Sequence, residues 1–125
     1  MIRNSWTLAN LCYITPNFND HYLIQEILRA SLNYASTNKE KVIANSLRAL
    51  GYLLSNTDFN LLEKEILPQL NKSSIFLGKI NPAIFYHSDK KVLSIDIIFR
   101  IISDSILDKS PKISWNACVT LGNII

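Results

Sequence analysis

Apolar side chains recur every three or four residues along most of this chain, in blocks separated by short polar or proline-containing segments. This spacing puts the apolar side chains on one side of an α-helix, and no block shows the sustained two-residue alternation of a half-buried strand. The pattern therefore predicts an all-α fold. The predicted helices cover about 1–14, 20–35, 38–55, 58–70, 90–107 and 111–125.

Local signals set several of the helix boundaries. Asp20 is suited to cap the second helix, because its carboxylate accepts hydrogen bonds from unpaired backbone amides. Thr37 and Glu40 have the spacing of a capping box at the start of the third helix. Pro68 is expected to kink or end the fourth helix, since proline lacks an amide hydrogen and clashes with the preceding turn. Ser110, followed by a proline, marks the start of the sixth helix.

Residues 71–89 interrupt the helical pattern. Their sequence, NKSSIFLGKINPAIFYHSD, mixes glycine, proline, serine and asparagine with isolated aromatic residues. Such a composition, without a 3.6-residue period, is typical of irregular structure. We therefore predict a long loop or insertion between the fourth and fifth helices.

The third and sixth helices contain related sequences, KVIANSLRALGYLL at 41–54 and KISWNACVTLGNII at 112–125. Segments 3–11, 45–53 and 116–124 align as three copies of one helix, at offsets of 42 and 71 residues. Removing the insertion brings the second offset close to the roughly 40 to 47 residues of HEAT and armadillo units. The repeat predicts one domain, an α-solenoid of two to three stacked units. Because neither end has a helix cap, we expect a piece of a longer array.

A helical wheel separates a packed side of the repeated helix from an outward side. Ala9, Gly51 and Gly122 are equivalent positions, and such small residues predict close approach by a neighbouring helix, since glycine inside a helix is otherwise unfavourable. The outward side predicts a surface that binds a partner, here named the binding strip. Its members are Arg3, Trp6, Asn10, Asn45, Arg48, Tyr52, Asn116, Val119 and Asn123.

Three strings, RNSWTLANLC, NSLRALGYLL and SWNACVTLGNII, resemble the last helix of armadillo and HEAT repeats. The pair at 41–54 and 112–125 is most similar to the C-terminal repeats of the HEAT repeat-containing protein 6 family, where an Asn-Ala-x-x-Ala-Leu-Gly-Asn helix precedes a Trp-Asn-Ala-Cys helix. The resemblance covers about half of the chain and is absent from 56–90. It implies a repeat scaffold without catalytic activity that binds another protein or peptide.

Trp6 and Asn10 also resemble the Trp-x-x-x-Asn pair of the importin-α groove, which would imply a nuclear transport adaptor that recognises a basic peptide. Only one of the three copies has the full pair, because Arg48 and Val119 replace the tryptophan in the others. The outward side is also basic, and like charges oppose a basic ligand. Its cations are Arg3, Lys41, Arg48 and Lys112.

Asn45 and Asn116 allow two interpretations. Their amides are suited to bind an extended peptide, since an amide donates and accepts hydrogen bonds at once. We favour the alternative, in which each bonds a loop carbonyl or side chain of the adjacent repeat. Arg48 and Tyr52 are the best single contact candidates, because arginine and tyrosine are enriched at interface hot spots. Trp115 is expected in the core between repeats.

Composition narrows the possible partners. The chain has 125 residues and a net charge of +3, but its Lys and Arg residues are scattered, which disfavours nucleic acid as a partner. Cys12 and Cys118 are far apart in apolar contexts, which indicates two buried thiols in a reducing compartment, the cytoplasm or the nucleus. The most apolar run, 95–102, contains two charges, so no membrane span or signal peptide is predicted.

The sequence has little of the chemistry that enzymes use. His21 and His87 are the only histidines, and the spacings of common zinc sites and phosphate-binding loops are missing. We therefore predict no catalytic residues, no metal site, no cofactor and no small-molecule substrate.

Overall fold

The computed structural model describes residues 2–14, 20–86 and 90–124, and within those ranges every regular element is helical. The longer helices are α1 (Ile2–Ile14), α2 (His21–Ala35), α3 (Glu40–Ser55), α7 (Ile95–Ile106) and α8 (Pro111–Ile124). Between α3 and α7 lie α4 (Phe59–Leu61), a π-helical segment (Leu62–Ile66), α5 (Leu67–Asn71), α6 (Ser74–Gly78) and a 3₁₀ helix (Pro82–Phe85). The all-α prediction is confirmed.

Two of the three predicted helix caps are present, and the third is absent. Asp20 accepts a hydrogen bond from the Leu23 amide at 3.2 Å, and Ser110 accepts one from the Ile113 amide at 3.4 Å. By contrast, α3 begins after Lys39 without any side-chain cap. The Thr37 hydroxyl instead donates to the carbonyl of Tyr34 at 2.8 Å. The capping-box prediction fails because Thr37 bonds to the end of α2 rather than to the start of α3.

The helical path continues through Pro68 instead of ending there. The segment before it is π-helical, and the Leu67 amide donates to the carbonyl of Leu62, five residues earlier. A π turn is one of the usual ways in which a helix absorbs a local disruption of its hydrogen-bond ladder. Pro68 therefore lies within a helical stretch that runs from 59 to 71.

The prediction of a long loop or insertion at 71–89 is corrected for 71–86: this segment is not an irregular loop, because it contains α6 and the 3₁₀ helix, and its Phe76, Ile80 and Phe85 side chains are buried. The Asn33 side chain of α2 holds this segment, because it donates to the Lys79 carbonyl and accepts from the Asn81 amide, both at 2.8 Å. The last three residues of the predicted loop, 87–89, lie outside the described ranges. Helix α7 starts at Ile95, later than predicted, where the Ser94 hydroxyl caps it.

The three helices that share the repeated sequence lie side by side. On one side of α3, Asn45 contacts Ser5 and Tyr52 contacts Tyr13 of α1. On the nearly opposite side, the Leu47 carbonyl accepts a hydrogen bond from Thr120 of α8 at 2.8 Å. Lys41 and Lys112 line one groove at the start of α3 and α8. In each pair of helices, an early residue of one lies near an early residue of the other, and a later residue lies near a later one. Helices α1, α3 and α8 therefore run in the same direction.

The packing of α8 against α3 depends on Gly51. A Cβ atom at this position would lie 3.0 Å from the Thr120 methyl group, closer than carbon atoms normally pack. The predicted close approach is thus confirmed at Gly51. It is wrong at Gly122, the equivalent position of α8, where a Cβ atom would meet nothing within 4 Å.

A second group of helices covers the other side of this layer. Helix α2 packs on α3 after a connection of four residues, 36–39, and α7 packs on α8 across 107–110. Short connections of this kind join antiparallel neighbours. The largest fully buried side chains, which form the core between the two groups, are Ile24, Leu28, Leu32, Leu47, Leu50, Leu53, Leu54, Leu62, Ile66, Leu70, Ile80 and Leu93.

Candidate functional site

The binding strip predicted from the sequence lies on α1, α3 and α8, and none of its nine members is fully buried. The exposed members are Arg3, Trp6, Val119 and Asn123, and the half-buried members are Asn10, Asn45, Arg48, Tyr52 and Asn116. Trp6 is 58% exposed and Val119 is 39% exposed. The strip is therefore available for contact with another molecule, while Asn45 and Tyr52 also contact α1.

A groove of about 470 Å³ lies on this face, lined by residues near the first described turn of α1 and the first turns of α3 and α8. We call it the basic groove. Its lining residues are Ile2, Arg3, Trp6, Lys41, Asn45 and Lys112. Three of them, Arg3, Trp6 and Asn45, belong to the predicted strip. The strip omitted the other three, although Lys41 and Lys112 occupy the same position of the repeat.

The asparagines of the strip are partly used within the protein. Asn45 donates to the Ser5 hydroxyl of the adjacent helix at 3.2 Å, in line with the interpretation favoured for it. Asn116 differs, because it donates to the Lys112 carbonyl of its own helix at 2.7 Å. Asn10 does the same with the carbonyl of Trp6 at 2.9 Å. Since an amide carries two N–H donors and one acceptor, each keeps hydrogen-bonding capacity for a ligand.

Aromatic side chains extend the face at the other end of α1 and α3. The rings of Tyr13 and Tyr52 meet edge to face with their centroids 5.3 Å apart. Tyr52 also packs against the core, so its position is well defined. Tyr13 is exposed but is not a member of the predicted strip, because it lies beyond the aligned segments of the repeat.

Positive charge is concentrated on this face. Helices α1, α3 and α8 carry four cationic side chains, Arg3, Lys41, Arg48 and Lys112, and one carboxylate, Glu40. This layer therefore holds a charge equal to the whole chain's net charge of +3. Over residues 2–14, 20–86 and 90–124, none of these four cations forms an ion pair; the ion pair present joins Arg29 to Glu26 on α2.

Two residues of α8 that were predicted to be buried are exposed. Trp115, predicted to lie in the core, is 70% exposed, because α8 turns its Ala117 and Thr120 side toward α3. Cys118 is also exposed rather than buried. Cys12 is buried as predicted, and its burial raises the thiol pKa to about 11, since an apolar environment disfavours the thiolate.

The side chains on this surface are of the kinds that bind other molecules. It presents cations, amides and aromatic rings, all of which bind polar and apolar parts of other molecules. In the described ranges no three His, Cys, Asp or Glu side chains come together in a way suited to hold a metal ion. His21 is half-buried at the start of α2, and His87 lies outside the described residues.

No protein-family model matches this sequence, and no solved structure matches this chain. Among the described helices, none combines the length and the apolar character needed to cross a membrane.

Proposed function

We propose that this protein is a non-catalytic interaction scaffold, an α-solenoid of the HEAT and armadillo kind, that binds another protein or peptide along the binding strip. The observation that carries the proposal is the arrangement of the three related helices. They pack side by side in one direction, with α3 between α1 and α8. In solenoids, stacking of equivalent helices produces extended surfaces used for binding.

The content of the strip supports binding rather than a role as a passive spacer. Arginine, tyrosine and tryptophan dominate interface hot spots, and the strip contains Arg48, Tyr52 and Trp6, none of which is fully buried. Tyr52 is already fixed by Tyr13 and by the core, so ordering it on binding costs little entropy. Both cysteines are free thiols, which supports the cytoplasm or the nucleus as the location.

An importin-α-like adaptor remains the second candidate, because Trp6 is exposed and Asn10 follows it one turn later on α1. Two observations weigh against it. The other two copies of the helix lack the Trp-x-x-x-Asn pair, and the face around Trp6 is basic. Fluorescence titration with a lysine-rich localisation peptide separates the two functions, since an importin-like groove binds it at micromolar concentration or below, as is ordinary for peptide recognition (roughly −8 kcal/mol).

The main test is affinity capture from cell extract followed by reciprocal capture with the identified partner, comparing the wild-type chain with R48E/Y52A. The two changes reverse a cation and remove an aromatic contact in the middle of the strip. We expect the double variant to lose roughly tenfold or more of its affinity for the captured partner. Circular dichroism checks that the variant remains helical.

A matched control carries the same chemical changes away from the strip. K64E/Y22A reverses one charge and removes one tyrosine at exposed positions of the π-helical segment and of α2. It should leave partner affinity unchanged. Equal partner affinity of R48E/Y52A and the wild type would refute the proposed role of the strip.

A further inference from the structure

The basic groove collects positive charge from three separate helices. Arg3, Lys41 and Lys112 belong to α1, α3 and α8, and all three line the same groove; Lys41 and Lys112 are each the second residue of their helix. Helix starts already carry partial positive charge from their unpaired amides, so cations are disfavoured there. The stacking of three parallel helices thus brings unfavourable charges together.

The protein does not compensate this charge within its described ranges. Glu40, adjacent to Lys41, is the one carboxylate on the three helices, and it does not line the groove. The other described carboxylates lie on α2, the π-helical segment, α7 and the connections between helices. Since like charges in a common concavity repel one another, an anionic ligand would relieve the repulsion as it binds.

The remaining lining residues indicate what kind of anion fits. The Trp6 indole and the Ile2 side chain provide an apolar wall, and both are exposed. Asn45 provides an amide whose second N–H and carbonyl oxygen are suited to a peptide backbone. A small inorganic anion would use only the cations. A peptide with carboxylates next to an apolar side chain would use the whole lining.

Nucleic acid fits this groove less well than an acidic peptide. Sequence-independent binding to duplex DNA draws on many phosphate contacts, commonly about 6 to 10, spread along a surface. Here three cations converge on one groove of about 470 Å³, a size suited to a few side chains.

We propose that the basic groove binds an acidic segment of a partner protein, with carboxylates at Arg3, Lys41 and Lys112 and an adjoining apolar side chain against Trp6. This proposal rests on the proposed scaffold function and specifies the class of its ligand. It adds Lys41 and Lys112 to the binding residues.

The test uses a fluorescein-labelled EEEFEEE peptide and its neutral counterpart QQQFQQQ, with binding measured by fluorescence anisotropy. A second readout is the intrinsic fluorescence of Trp6 in a W115F background, because Trp6 and Trp115 are the two tryptophans of the chain. We expect the acidic peptide to bind, to change Trp6 emission, and to weaken as salt is added. The neutral peptide should bind roughly tenfold or more weakly.

Two double variants distinguish binding in the basic groove from non-specific electrostatic attraction to the protein. K41E/K112E reverses two cations in the groove, whereas K64E/K72E changes the net charge by the same amount at exposed positions outside it. We expect K41E/K112E to bind the acidic peptide roughly tenfold or more weakly, and K64E/K72E to bind it like the wild type. An equal loss in both variants, or no binding by the wild type at about 0.1 M salt, would overturn the proposal.

Labelled single-stranded oligonucleotide is the competing ligand. If it binds more tightly than EEEFEEE and is lost in K41E/K112E, the groove is a nucleic-acid site and the peptide assignment is wrong.

Failure of this proposal is distinguishable from failure of the scaffold function. If R48E/Y52A loses a captured partner while K41E/K112E retains it, the strip binds protein and the groove assignment alone falls. If both variants retain the partner, the scaffold function falls as well.

Discussion

Gly51 shows how a single residue sets the distance between two helices. Its missing side chain admits Thr120, whose hydroxyl donates to the Leu47 carbonyl and whose methyl group lies against the Gly51 backbone. From this glycine, the repeat alignment predicted the close approach of a neighbouring helix. The same alignment gave Gly122 the same role, yet that glycine faces open space. Identical residues at equivalent positions therefore have different energetic roles.

The two glycines give a matched pair of substitutions. Gly51→Ala should destabilise the fold by about 1 to 2 kcal/mol. The new methyl group would crowd Thr120, and the free-energy cost of this overlap should exceed the gain from alanine's higher helix propensity. Gly122→Ala should stabilise it by a few tenths to about 1 kcal/mol, since nothing opposes the better helix former. Urea unfolding followed by circular dichroism measures both. A stabilised Gly51→Ala variant would contradict the proposed packing of α8 on α3.

At the scale of the helix, the first turns of α3 and α8 each contain a lysine, although α3 also has Glu40 there. Carboxylates stabilise helix starts and cations do not, with effects of about 0.3 to 1 kcal/mol at exposed sites. Lys41 and Lys112 nevertheless occupy these turns, and they meet in the basic groove with Arg3. Local features that cost stability are often found where a protein binds something.

Replacing these lysines should therefore separate stability from binding. We expect K41E/K112E to be more stable than the wild type by about 0.5 to 2 kcal/mol, because it removes repulsion and puts carboxylates in the first turns. K64E/K72E is the control and should change stability less. Thermal unfolding at low and high salt measures the difference, which should shrink as salt screens the charges. A less stable K41E/K112E would mean that the lysines have structural partners.

At the scale of the whole molecule, α3 is the element on which the others depend. It is contacted by α1, α2 and α8, and nine of its sixteen residues are buried. Helix α1 is held mainly by α3, and its buried residues are Ser5, Ala9 and Cys12. Stability is therefore unequally distributed, since segments with few buried contacts open more readily than the core.

Hydrogen exchange measured by mass spectrometry tests this distribution. We expect the amides of α3 to exchange most slowly, at a rate set by global unfolding, and those of α1 to exchange faster through local opening. Equal protection of α1 and α3 would show that the layer opens as one unit.

The sequence by itself determined that the chain is helical, where most helices lie and which side of α3 is packed. These features are local, because a 3.6-residue period and caps such as Asp20 act within one helix. Only the tertiary structure decided which residues meet. It brought Arg3, Lys41 and Lys112 into one groove, left Trp115 exposed, and ordered 71–86 through the Asn33 side chain. These outcomes depend on contacts between residues distant in the chain, and no local pattern encodes the positions of two separate helices relative to each other.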